Sequence, residues 1–491
     1  MSENIESIVI VVSVLVALII TLIVYLIYRG KWQENEPIKM EPLPAPEPTP
    51  IPVVNTQLNP IIVIPGLGGT NLEYKLDESF NSPVCNVQKL SELNSSLWIN
   101  PLGLLFQKDC FLELLKPIYD KCEKTLKNYP GLSVFPKAKY LGDPLSSICL
   151  SYLFNSTSIC FPETDYSKNF VNFFTNKGYK AGYNLFIPGY DFRLVPYTNE
   201  YFDSLKVLIE SVVETTGKKV FLMGHSLGTL LGNMFLNKMC LKWKDKHIKS
   251  FVAISPSYDG GPKSLRTALS GFNFGLPNFI RTTNFEFAYP ERSMAGLAIT
   301  IPLLPKMYGP TNCDNEGNGE AVTLLNSAGD KKVYNVNDYK DRIITVIRKI
   351  AKETNTPDLE TFADIVSDLS KKKKKYAYTD PNVKVYQIIV QNVPTESSYI
   401  YALPEDGSTG SSLNISTSKS GLNSDPVFTG TVSGDEDIPI YGGKIPQLFG
   451  WKNFTNKFFL PLNGLDHFTA YSDSELVYTY IYEQIILNGS I

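Results

Sequence analysis

The chain has 491 residues, 43% of them hydrophobic and 19% charged, a balance too apolar for general disorder and sufficient to bury a large core. A formal net charge of -3 argues against a nucleic-acid binder, which needs a basic face to neutralise phosphates.

Residues 8–28, "IVIVVSVLVALIITLIVYLIY", contain no charge, and about 20 helical residues cross a bilayer core. A retained transmembrane anchor behind a short tail, 1–7, is therefore expected. A cleaved signal peptide would need a basic start, whereas Glu3 and Glu6 open this chain. Residues 29–58 read as a linker, proline-rich over 36–54 and extended, so one folded unit, 59–491, is expected to begin near Asn59. The signals for sidedness conflict. Arg29, Lys31 and Lys39 follow the apolar run and place the body in the cytosol by the positive-inside rule. Seven cysteines and five N-x-S/T sequons, at Asn94, Asn155, Asn414, Asn453 and Asn488, suit an oxidising, glycosylating compartment. The second set is preferred, giving a single-pass membrane protein with a lumenal or extracellular body.

Within the body, "PIIVIPG" (60–66), "AGYNLFIPGYDF" (181–192), "KKVFLMG" (218–224), "IKSFVAIS" (248–255), "VKVYQIIV" (383–390) and "KFFLPLNG" (457–464) read as strands. Helical patterns lie between several of them. The clearest, 199–217, puts Phe202, Leu205, Leu208, Ile209, Val212 and Val213 on one face and closes on Gly217. This alternation predicts an α/β protein with a mostly parallel sheet. The stretches 256–310 and 391–450 look long and irregular, like insertions above a sheet edge.

"KKVFLMGHSLGTLLGNMF" (218–235) holds Gly224-His225-Ser226-Leu227-Gly228, a G-x-S-x-G turn between an apolar strand and a helical pattern. That context lifts a serine hydroxyl above a sheet as a nucleophile. Such a hydroxyl needs a base, and the chain has three histidines. His225 lies in the turn and His247 precedes the next strand, where it reads as exposed and inert. His467 follows the last strand and satisfies the Ser…Asp/Glu…His order. By position Glu396, Asp435 and Asp437 all qualify as the acid that orients the histidine, and spacing does not separate them. Asp466, adjacent to His467, is badly placed to reach back. Oxyanion donors are expected from the Leu227 N–H and, in the glycine-rich turn "IPGLGGTN" (64–71), from the Leu67 N–H.

These residues resemble the lecithin:cholesterol acyltransferase family, which includes phospholipid:diacylglycerol acyltransferases and lysosomal phospholipase A2. "IVIPGLGGTNLEYKLD" is similar to the family's opening strand and oxyanion loop. "VCNVQKLSELNSSLWINPLGLLFQKDC" (84–110) is similar to its cysteine-bounded lid, and "PGYDFRLVP" to its P-Y-D-W-R-L motif, with Phe192 replacing the tryptophan. The resemblance implies an α/β-hydrolase fold with lid and cap insertions, a Cys85–Cys110 disulfide and Trp98 at a membrane-facing tip of the 85–110 lid. The family pattern G-D-G-T-V-P falls on "GDEDIP" (434–439), which implies Asp435 as the acid. Glu436 and Asp437 replace its Gly and Thr, so Asp437 remains a substitute.

The resemblance further implies transfer of a fatty-acyl group from a glycerophospholipid, through acyl-Ser226, to a lipid alcohol such as a sterol or diacylglycerol, or to water. It needs no metal or cofactor, and its partner is a phospholipid membrane. A serine hydrolase of soluble esters and an inactive lipid-binding membrane glycoprotein are the rival functions. Lys371–Lys375 reads as a solvated helix end favoured by the macrodipole. Cys149 and Cys160 are candidates to close a short loop.

Overall fold

The computed structural model describes residues 54–85, 95–100, 103, 107–150, 164–196, 199–270, 294–309, 316–325, 329–402, 428–451, 456–458 and 465–488. The expected anchor 8–28, the proline-rich spacer through residue 53, Cys160 and the sequons at Asn94, Asn155, Asn414 and Asn453 lie outside them. Among the described residues no helix is long and apolar enough to cross a membrane. That finding overturns the expectation of a single-pass membrane protein. The one described helix of 20 residues, Pro357–Tyr376, is acidic in its first turn and basic in its last, so it is too charged for a bilayer core.

Six strands form one parallel sheet: β1 (Ile61–Ile64), β2 (Leu185–Phe186), β3 (Val220–His225), β4 (Ile248–Ile254), β5 (Val385–Ile388) and β6 (Asn456–Phe458), in the order β6-β5-β4-β3-β1-β2. Each lies within one of the six strand segments expected from sequence, allowing one residue at either end. Parallel strands are covered on both faces and so read as unbroken apolar runs; β1 and β3 are buried throughout.

The period of two divides these strands between two cores. Ile62, Ile64, Leu222, Phe251 and Ala253 face one apolar layer, together with Leu227, Leu230, Leu231 and Met234. Ile61, Val63, Phe221, Met223, Val252 and Ile254 face the other, with Phe170, Phe174, Tyr471 and Val477. Helix α1 (Glu200–Thr216) ends on Gly217, whose φ of 67° is the left-handed cap expected at that position. Helix α2 (Leu227–Lys238) leaves the sheet directly behind β3.

The 391–450 stretch is more regular than expected. Val393–Ala402 and Phe428–Gly434 are antiparallel strands of a second, four-stranded sheet completed by Glu320–Leu325 and Lys331–Asn335. The lysine run also differs. Helix α3 (Pro357–Tyr376) carries it, but Lys373 is buried and donates to the carbonyls of Asp259 (2.7 Å) and Ile301 (3.0 Å). Burial, only partly offset by the Asp259 carboxylate, pushes its ammonium down to about 8. His247, expected at the surface, is buried too, with Nδ1 2.7 Å from the Trp243 carbonyl.

Helix α2 approaches β1 closely because Gly228 has no side chain: a Cβ there would lie 2.1 Å from the Ile64 carbonyl oxygen. Backbone cannot yield as a side chain can, so Gly228→Ala is expected to cost about 3 kcal/mol or more. At Gly217 a Cβ would meet nothing within 4 Å, and Gly217→Ala should cost only the left-handed backbone penalty of about 1 kcal/mol. Urea unfolding of the two variants checks the ranking; equal losses would mean that Gly228 is not a contact-limited position.

Candidate active site

Ser226, the Leu67 turn, His467 and Asp435 gather at the carboxyl end of the sheet, where open α/β sheets place their ligands. β3 delivers Ser226, at φ 52° and ψ -126°. Non-glycine residues avoid that region, but here the strand must reverse at once into α2. Three bonds hold the turn: the Ser226 N–H donates to the Ile254 carbonyl (3.2 Å), and the Ser226 carbonyl accepts from the Thr229 N–H (2.9 Å) and the Thr229 hydroxyl (2.7 Å). The Ser226 side chain is half-buried and makes no hydrogen bond with another described residue.

β1 delivers the second turn, Pro65–Gly69, whose polar groups are held from several directions. Tyr190 Oη donates to the Pro65 carbonyl (2.9 Å), Trp98 Nε1 to that of Gly68 (2.8 Å) and Ser147 Oγ to that of Gly69 (2.7 Å). The Gly66 N–H donates to Tyr166 Oη (2.8 Å), and the Gly69 N–H to the Gly66 carbonyl (3.1 Å). The Leu67 and Gly68 amides make no hydrogen bond with a described residue. The turn lies against Ser226, since a Cβ on Gly66 would be 3.0 Å from Ser226 Cβ. Leu227, first residue of α2, presents an N–H that no preceding helical carbonyl serves.

His467 and Asp435 are buried together, with His467 Nδ1 2.8 Å from Asp435 Oδ2. The other carboxylate oxygen accepts the N–H groups of Ile438 (2.7 Å) and Asp437 (3.2 Å). Because an ionised carboxylate only accepts, Nδ1 carries the imidazole proton and Nε2 keeps its lone pair. Burial pulls the His467 pKa down, but the Asp435 charge and hydrogen bond, aided by Asp437, carry it above the ordinary imidazole value.

The other acidic candidates are engaged elsewhere. Asp437 is ion-paired with Lys263; burial opposes its charge, yet that ammonium holds its carboxyl below the usual range. Glu436 lies 3.9 Å from the same ammonium. Glu396 pairs with Arg266 (2.5 Å) and accepts from Tyr399 Oη (3.1 Å). Asp466 accepts from the Thr469 N–H and hydroxyl, both at 2.7 Å. Lys263 escaped the sequence analysis, although three carboxylates within "GDEDIP" already call for a nearby cation. Among the described residues no group of three or more His, Cys, Asp or Glu side chains is placed to hold a metal ion.

Cys85 and Cys110 are joined in a disulfide, the pairing the resemblance implied. Cys149 is also disulfide-bonded, whereas Cys122 and Cys240 are free and exposed. Trp98 requires a correction, because it is no exposed lid tip. It ends a short strand, Ser96–Trp98, paired with Leu72–Leu76. It is 6% exposed, with its ring edge-on to Phe192 at 5.4 Å. An indole at a lipid boundary keeps its N–H in water; this one is committed to Gly68.

Fold and site together define a parallel-sheet α/β protein with a serine at a strand-to-helix turn and a buried histidine–aspartate pair beside it. The chain belongs to the lecithin:cholesterol acyltransferase family, whose model matches residues 93–457. It is 32% identical over 222 residues to the Bos taurus "Lysosomal phospholipase A and acyltransferase", covering 44% of this chain and 52% of that one. It is 29% identical over 238 residues to the Rattus norvegicus "Phosphatidylcholine-sterol acyltransferase", covering 47% and 51%. The chain thus spans about half the length of the curated relatives it matches. A solved structure titled "The crystal structure of Tle4-Tli4 complex" is similar at a TM-score of 0.43 and 13% identity, covering 88% of this chain and 98% of that one.

Burial of Trp98 sets a stability test. Trp98→Ala removes a packed ring and the Gly68 bond and is expected to cost about 3–5 kcal/mol in denaturant unfolding. A loss below about 0.5 kcal/mol, the usual size for a surface position, would return the residue to an exposed tip.

Proposed function

We propose that this chain has the α/β-hydrolase fold and is a phospholipase A and lipid acyltransferase working through Ser226, His467 and Asp435. The observation that carries the reading is the buried 2.8 Å contact between His467 Nδ1 and Asp435 Oδ2, at the sheet end that also holds Ser226. In the first half-reaction His467 Nε2 takes the Ser226 proton as Oγ attacks an acyl ester carbon of a glycerophospholipid. The Leu67 and Leu227 amides receive the oxyanion. Such donors are worth about 2.7–4 kcal/mol each in the transition state. The tetrahedral intermediate then collapses, the ester bond breaks, and His467 returns its proton to the departing lysolipid oxygen. In the second half-reaction an acceptor hydroxyl gives its proton to His467 and attacks acyl-Ser226; as the acyl–Ser226 bond breaks, His467 passes that proton to Ser226 Oγ. Asp435 fixes the imidazole tautomer and stabilises its cation.

The relatives' names support a phospholipid donor, phosphatidylcholine among them, with a sterol as one acceptor. An inactive protein would be favoured if the extra carboxylates of "GDEDIP" disturbed the His467–Asp435 pair. With Asp437 held by Lys263 that alternative loses its basis.

The deciding experiment incubates the purified protein with phosphatidylcholine vesicles, with and without a sterol or diacylglycerol. Free fatty acid or acylated acceptor is expected, and Ser226→Ala should release neither while melting at the same temperature. Turnover by that variant would remove Ser226 from the chemistry.

The acid is tested by pH. Catalysis needs neutral His467, so kcat/KM should fall as pH drops through a value above the ordinary imidazole pKa. Asp435→Asn should lower the plateau on the order of 10³- to 10⁴-fold and, by removing the charge that raises His467, move that limb to lower pH. Asp437→Asn and Glu396→Gln should keep the plateau within about tenfold. The opposite ranking would transfer the role away from Asp435.

A further inference from the structure

His225, the variable residue of the G-x-S-x-G turn, is a buried histidine with no part in the proton transfers above. It is 2% exposed. Its Nε2 lies 3.0 Å from the backbone carbonyl of His467, and its Nδ1 lies 2.5 Å from Tyr166 Oη. Tyr166 Oη in turn lies 2.8 Å from the Gly66 amide. One assignment of protons satisfies all three contacts. A carbonyl only accepts, so His225 carries its proton on Nε2 and donates to His467. Nδ1 is then an acceptor, the Tyr166 hydroxyl donates to it, and the phenol oxygen is left to accept the Gly66 N–H. Burial and the neighbouring His467 press the His225 pKa down to about 3, which keeps Nδ1 unprotonated across any practical assay range.

Packing alone does not explain this chemistry. The His225 ring stacks on Tyr471 at 4.8 Å and 13°, and the Tyr166 ring packs against Tyr471 (5.0 Å) and Phe468 (5.7 Å). Phenylalanine at both positions would fill the same space without burying polar atoms, which costs free energy unless every bond is made. The bonds run between parts far apart in sequence: the turn after β1, the Ser226 turn after β3, and the backbone of the base.

We propose that Tyr166 and His225 are positioning residues whose hydrogen bonds hold the oxyanion turn and His467 in register on either side of Ser226. The inference rests on the function proposed above. The Gly66 amide precedes the Leu67 amide by one peptide, so tethering Gly66 to Tyr166 orients the donor aimed at the oxyanion. Tethering the His467 carbonyl fixes the backbone from which the imidazole reaches Ser226. Small displacements matter here, because a misplacement of about 1 Å can cost 10²-fold in rate.

The test uses Tyr166→Phe, His225→Gln and the double variant. Each is followed by vesicle turnover, by melting temperature and by the rate at which a fluorophosphonate labels Ser226. Tyr166→Phe keeps the ring and removes only the hydroxyl. His225→Gln keeps an N–H for the His467 carbonyl but offers Tyr166 no ring nitrogen. Each single variant should lower kcat and the labelling rate with KM unchanged, His225→Gln about five- to tenfold, the worth of one hydrogen bond, and Tyr166→Phe at least as much, because its hydroxyl makes two. The double variant should be no worse than the poorer single one, since both cut the same link. Undiminished labelling of Tyr166→Phe, a rise in KM alone, or losses that multiply would each overturn the inference while leaving the triad in place. If the unaltered protein neither turns over lipid nor labels at Ser226, the function reading falls and this inference with it.

Discussion

The contact on which the site depends is the one between the first turn of α2 and the end of β1. A side chain at Gly228 would stand 2.1 Å from the Ile64 carbonyl, so the helix and strand touch through their backbones. That approach brings two turns together, one carrying Ser226 and the other carrying the free Leu67 amide. Every other requirement is met from this starting position. The Pro65–Gly69 turn is fixed by side chains from four separate stretches, Trp98, Ser147, Tyr166 and Tyr190, each bonded to one of its backbone polar groups. Preorganised dipoles of this kind need no rearrangement when charge develops on a substrate oxygen.

Much of this was legible in the chain because local pattern carries it. The six sheet strands announce themselves as apolar runs since both their faces are covered, and Ser226 is marked by the glycines that permit its turn. The histidine follows by elimination among three. Residues whose environment is set by distant partners were not legible. Lys373 lies in a lysine run that reads as a solvated helix end, yet it finds two carbonyls 114 and 72 positions away. Trp98 sits in a segment apolar enough for a lipid-facing tip, and only its pairing with Leu72 and its bond to Gly68 show it to be core. The strand Val393–Ala402 begins Val-Pro and holds Thr, Glu and two serines, so its period of two is blurred. Its partners in the second sheet decide its conformation.

The choice among carboxylates shows how the two kinds of information combine. Chain order admits Glu396, Asp435 and Asp437 equally, because order constrains topology and says nothing of distance. The fold separates them by supplying cations: Arg266 engages Glu396 and Lys263 engages Asp437. Asp435 is left to two backbone amides and the His467 imidazole. Two amide donors occupy one oxygen without the bulk or mobility of a lysine, so the second oxygen remains available to the histidine.

The Lys263–Asp437 pair has a consequence for anyone who edits this loop. Replacing both Glu436 and Asp437 by uncharged residues would remove the two carboxylates set against the Lys263 ammonium, 15% exposed, and unbalance a positive charge whose field already opposes the His467 imidazolium. Removing Lys263 by itself would release Asp437, a second carboxylate whose charge acts on the same ring. Lys263, Glu436 and Asp437 are therefore coupled: a change on one side of the pair alters the charge felt by His467 unless the other side changes with it.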